Sequence, residues 1–167
     1  MRLFFFLFFF FINLPNTNAS DVVFVDLDFL LKKSTIGNKI LFKLNEENDK
    51  LQLKFEKKEI ELNNEQNEIK KIKNVISNEE YNNKISLFKK KINLYNEEKD
   101  KKIREFENKK NNELDKFFKL LNKVMTDYMK NNSIEVIFDK SSIVIANQKN
   151  DISQKILEII NQNDQIK

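Results

Sequence analysis

The sequence contains no cysteine, no histidine and no tryptophan, and only one glycine (Gly37) and one proline (Pro15) in 167 residues. Each absence removes a class of function. Without Cys the chain uses no disulfide, although it tolerates an oxidising compartment, and it has no thiolate nucleophile. Without His it lacks the usual general base near neutral pH and the commonest metal ligand. A single glycine cannot build a loop of backbone amides around phosphate. The carboxylate pairs Glu46/Glu47 and Glu97/Glu98 lie in stretches that read as solvated helix. Asp26, Asp28 and Asp139 lie near the ends of expected strands, where capping and turn formation account for them without a metal. The expectation is a protein that is not an enzyme and takes no cofactor and no metal. Nearly all basic residues are Lys, Asn is abundant and Ala scarce, a bias that fits an AT-rich coding genome and says little about chemistry.

What is present starts with a phenylalanine-rich apolar run over 3–12, preceded by Arg2 and broken by Pro15. Thr17 and Ala19 place small residues at −3 and −1 of a cleavage point after Ala19. The run falls well short of the ~20 residues that span a bilayer. Residues 1–19 therefore read as a cleaved secretory signal, and 20–167 as one mature domain.

Charge is unevenly spread. Residues 39–130 carry 23 Lys+Arg against 18 Asp+Glu, while the remainder of the mature chain carries 6 against 8. Lys89, Lys90 and Lys91 form the densest basic run. In a secreted protein such a surface meets unfolded envelope proteins and anionic lipid, and nucleic acid is not an expected partner. Most of these charges alternate in sign and solvate a long helix.

The periodicity predicts an α+β chain that is mostly helical. Residues 21–27 form a short β-branched run, with Asp28 capping a brief helix over 29–33 and Gly37 providing a break through positive φ. From 38 to 73 a heptad seam follows positions 41, 48, 55, 62, 69 and 76, with companions at 44, 51 and 72. Asn48, Lys58 and Glu65 are flaws in it. The pattern lapses over 74–77, and Ser77 with Glu80 reads as a capping box that opens a return helix to about residue 130. Its apolar residues are Tyr81, Ile85, Phe88, Ile92 and Tyr95, after which an eleven-residue repeat replaces the heptad. Residues 133–139 and 143–146 read as two strands joined by a hairpin-length link, and Asp151 with Gln154 caps a final amphipathic helix over 152–161.

The organisation expected is thus a β-rich body from 20–37 and 132–167, and a helical hairpin arm over 38–131 with its tip near 74–77. The body is too small to make a sizeable core alone, so self-association is expected. Leu53, Ile60, Leu87 and Leu94 lie outside the seam. They serve broader seam packing, arm-to-arm contact in an oligomer, or a lipophilic face that holds extended apolar polypeptide, flanked by lysines.

The order of these elements resembles the Skp/OmpH family of periplasmic chaperones. The resemblance rests on 22–27 (VVFVDL) with the short helix after it, the long basic hairpin, 134–139 (IEVIFD), and Asp151-Ile-Ser leading into the closing helix. It implies a homotrimer whose β segments form a central body, from which three helical tentacles enclose a cavity. It also implies an ATP-independent holdase in the periplasm that keeps unfolded outer-membrane β-barrel proteins from aggregating. Contact with anionic lipid or lipopolysaccharide is a further implied possibility, with no residues assigned to it. On this basis Val23, Val25, Ile134, Val136, Phe138 and Val144 are the candidate trimerisation residues. Leu53, Ile60, Leu87 and Leu94 with Lys89, Lys90 and Lys91 are the candidate client contacts. The competing reading is a structural or tethering coiled coil of the envelope, without chaperone activity. A basic hairpin held at a membrane by a retained leader is a third.

Overall fold

The computed structural model describes residues 21–164; the expected signal segment lies outside them. The chain runs β1 (Asp21–Val25), α1 (Leu27–Lys33), α2 (Thr35–Lys71), a 3-10 turn (Ile72–Asn74), α3 (Asn78–Asn132), β2 (Ile134–Asp139), two further 3-10 turns (Lys140–Ser142 and Gln148–Asn150) and α4 (Ser153–Asp164). The two strands pair in parallel, with Val22 opposite Val136 and Phe24 opposite Phe138. A parallel pair requires a long crossover, and here the whole α2–α3 hairpin is that crossover.

The hairpin follows the heptad reading closely. Leu44, Phe55, Leu62 and Ile69 are buried on α2, as is Phe88 on α3. Leu62, Ile69 and Phe88 form a distal cluster with Tyr81, Ile85, Ile92 and Tyr95. Ser77 caps α3 by accepting the Glu80 amide at 3.2 Å. At ~1.5 Å rise per residue α3 is about 80 Å long and α2 about 55 Å, so the base of α3 runs past its partner into the body.

There, Phe117, Leu121 and Val124 of α3 meet Val25, Leu30 of α1, and Ile152, Ile156, Leu157 and Ile160 of the chain's end. The parallel register gives the sheet two distinct faces. Val23, Val25 and Ile137 turn toward this core, while Val22 and Val136 share the other face with Phe24 and Phe138. The Ile152 amide donates to the Phe24 carbonyl at 3.0 Å and ties the end of the chain to β1.

Three local expectations are corrected. The first short helix is capped by Asp26, whose carboxylate accepts the Phe29 amide at 2.8 Å, so it begins before Asp28; Asp28 instead pairs with Lys32 at 2.6 Å. Gly37 does not break the chain: no glycine has positive φ, and Gly37 lies inside α2, which starts at Thr35 under a cap from Ser34. Residues 143–146 do not pair as a strand. Asp139 accepts the Ser141 amide and starts a 3-10 turn, after which Val144 and Ile145 stand 102% and 90% exposed. The described sheet has two strands rather than three. Among the described residues, the one that takes positive φ is Ser133, at 55°, where α3 turns into β2.

Candidate functional site

Two surfaces leave apolar groups uncovered, and both involve residues singled out from the sequence. The first is the arm. Leu53 and Ile60 are 56% and 53% exposed on α2, and Leu87 and Leu94 are 58% and 66% exposed on α3. All four lie outside the packed seam. Broader packing between the two helices is therefore not their role within one chain. Lys89 and Lys90 are exposed beside Leu87, and neither forms an ion pair among the described residues. Lys91 differs, since it reaches across the hairpin to Glu65.

That bridge belongs to a series sequence reading missed. Lys109 reaches Glu47, Lys54 meets Glu98 at 2.8 Å, and Lys99 meets Glu59 at 2.6 Å, all between α2 and α3. The Tyr95 hydroxyl also donates to Glu59 at 2.9 Å, and the Lys99 ammonium lies 5.4 Å from the centre of the Phe55 ring. Hydrogen bonds from Lys99 and Tyr95 hold the Glu59 carboxyl below its ordinary value of 4.5. A 370 Å³ groove lies against this node, lined by Lys54, Lys57, Lys58, Glu61 and Glu98 among others. The signal that would have found the series is the antiparallel register itself. Once the tip is fixed at 72–77, residues equally far from it face one another.

The second surface is the outer face of the sheet and the segment beyond it. Val22, Val136 and Phe138 are 44%, 37% and 47% exposed, continuing to Val144 and Ile145. Of the residues expected at a chain–chain interface, Val136, Phe138 and Val144 are exposed here. Ile134 is half-buried opposite Asp21. Val25 is 1% exposed in its own chain's core and Val23 packs beside it, so these two stabilise the single chain.

Between the surfaces lies a polar junction that holds the chain ends together. The Ser153 hydroxyl accepts the Asp26 amide at 2.8 Å and is itself bound to Asp151. Lys140 lies 3.6 Å from Asp26 and 3.5 Å from Asp151. Although burial pushes the Asp151 carboxyl up, hydrogen bonds from Ser153 and the charge of Lys140 more than offset it and leave it below 3.8. Every carboxylate in this junction has a partner. Among the described residues no group of acidic side chains is arranged to hold a metal ion, and no helix is long and apolar enough to cross a membrane.

Comparison with known proteins follows the same lines. No curated protein matches the sequence. A crystal structure of a candidate outer membrane chaperone (OmpH-like) from Caulobacter crescentus CB15 matches the fold with a TM-score of 0.75. It covers 87% of this chain and 86% of that one, at 15% sequence identity. The family model described as outer membrane protein (OmpH-like) matches residues 21–160, from the first strand to the core face of the last helix. The chain belongs to the OmpH-like family.

Proposed function

We propose that the protein is an ATP-independent holdase of the periplasm, a homotrimer whose arms surround unfolded outer-membrane β-barrel proteins and keep them from aggregating. The observation that carries this reading is the set Leu53, Ile60, Leu87 and Leu94, each more than half exposed on an arm whose helices pack through other residues. Four large aliphatic groups exposed in an aqueous compartment favour contact with apolar polypeptide. Neighbouring lysines keep the surface soluble and attract acidic segments over distances near the Debye length. Each contact is weak, and many on three arms together give retention through multivalency. Assembly uses Val136, Phe138 and Val144. The sheet's uncovered face and the unpaired 143–146 segment are supplied with partners by neighbouring copies, which also relieves the small size of the core. Membership of a family matched by a candidate outer membrane chaperone supports the same reading.

The test is the mass of 20–167 in solution, by light scattering after size exclusion, alone and after mixing with an outer-membrane barrel protein diluted from urea. Three chains alone, then a soluble species heavier by one client, is the expected result. A trimer beside precipitated client would favour an envelope scaffold, and a monomer would remove the cavity altogether.

A further inference from the structure

We propose that the arm is jointed: its distal third is a separately stable unit, linked to the body through a neck that opens on its own. The observation is a gap in burial. On α3 no residue between Phe88 and Phe117 is buried, and on α2 none between Leu44 and Phe55. Tipward of the gap is the cluster of Leu62, Ile69 and Phe88 with its tyrosines, and bodyward is the core around Phe117 and Leu121. The two clusters share no residue. In the facing stretches 47–54 and 98–109 the seam position 48 is Asn, and the cross-helix links are charged: Glu47 with Lys109, Lys54 with Glu98, and Glu59 with Lys99 at the distal boundary.

Those pairs are solvent-exposed, so they are weak and screened by salt. Leu51 and Phe106 are only partly buried there, so the neck has neither a fully desolvated core nor strong electrostatics to hold its helices together, whereas the segments on both sides have buried residues at their centre. Helices that separate lose the packing that makes them stable, because isolated segments of this length are marginal in water. Local opening is therefore cheapest in the middle of the arm, not at its free end. The eleven-residue repeat of α3 passes through the neck: Ile103 is 42% exposed there, whereas its equivalents Ile92, Leu114 and Met125 are at least half-buried. The joint is a property of the chain itself and stands apart from the holdase reading. If the arms enclose a client, it fixes where they bend.

The experiment is amide hydrogen exchange by mass spectrometry on the assembled protein, without client, at about 50 mM and about 500 mM NaCl. Peptides within 98–113 are expected to exchange about tenfold faster than peptides within 81–95, although the latter are nearer the tip. High salt should speed the neck by about three- to tenfold and change the distal peptides by less than about twofold. The double variant Glu47→Gln/Glu98→Gln should reproduce the salt effect at low salt. Protection that falls steadily from body to tip would overturn the joint, as would a neck whose exchange ignores both salt and the variant. Neither result depends on whether the protein holds clients.

Discussion

A Cβ placed on Gly37 would overlap the carbonyl oxygen of Leu31 and lie 2.8 Å from its carbonyl carbon. The end of α1 and the first turn of α2 approach so closely that only hydrogen fits between them. Gly37→Ala gains up to about 1 kcal/mol of helix propensity. It must also displace backbone rather than a flexible side chain, and overpacking of that kind costs about 1–3 kcal/mol. The clash wins. We expect Gly37→Ala to lower Tm by about 2–8 °C in thermal circular dichroism, and an unchanged or higher Tm would contradict the packing described.

Buried and exposed apolar residues should separate cleanly. Phe117 is 1% exposed in the body core, and Phe117→Ala is expected to cost about 3–5 kcal/mol in urea unfolding. Leu87→Ser, at a site 58% exposed, should stay within about 0.5 kcal/mol of the parent. The four-site variant Leu53→Ser/Ile60→Ser/Leu87→Ser/Leu94→Ser should remain folded yet bind unfolded barrel protein at least about tenfold more weakly, because every arm loses its contacts at once. Unchanged client binding would transfer the role to other residues.

Acid should loosen the body before any milder pH does. Asp151 is held below 3.8 despite burial, and Asp139 is held below 3.8 mainly by the Ser141 hydroxyl. Both folded-state values are depressed, so the stability they contribute is fully present above 3.8 and is lost as pH falls through the folded values. We expect urea midpoints that are level from pH 8 to pH 5 and decline below about pH 4. Asp151→Asn should flatten part of that decline. An equal decline in the variant would place the acid sensitivity elsewhere.

The outer face of the sheet is where a charge should break assembly. Phe138 is 47% exposed, and Phe138→Asp removes no contact on which the single chain's core depends. In the trimer proposed above, its helical circular dichroism should therefore persist while the mass by light scattering falls from three chains to one. A trimer that survives the substitution would exclude this face from the interface.

The arm was legible in the sequence because its order is local. A seven-residue repeat needs only one helix to be seen, and even its flaws were informative: of the charged residues at seam positions, Lys58 pairs with Glu61 on its own helix and Glu65 bridges across the hairpin to Lys91. The tip was legible for the same reason, since Ser77 and Glu80 are three residues apart. What failed required distant chain. A lone glycine in a polar stretch signals a turn, but the demand on Gly37 comes from Leu31 across a helix junction. Residues 143–146 have the composition of a strand, yet the 3-10 turn that Asp139 caps carries them past β2 without pairing. Asp26 and Asp28 are both plausible caps by sequence, and the Asp26 amide's bond to Ser153, 127 residues away, fixes the register that chooses between them.

The body is closed by partners at the two ends of the chain: Asp26 with Ser153, and Thr35 with Asn161 at 2.9 Å. Bringing such distant segments together directly would cost the entropy of one very large loop. The hairpin removes that cost by zippering from its turn, since each pairing of α2 with α3 shortens the unpaired chain that remains. When the last turns meet, β1 and β2 are already neighbours. Substitutions at Ile69 and Phe88, which lie in a cluster separate from the body core, are therefore expected to slow refolding of the body in stopped-flow measurements. A lesson for reading slow-folding variants follows from that: a defect in body formation can originate at the far end of the arm.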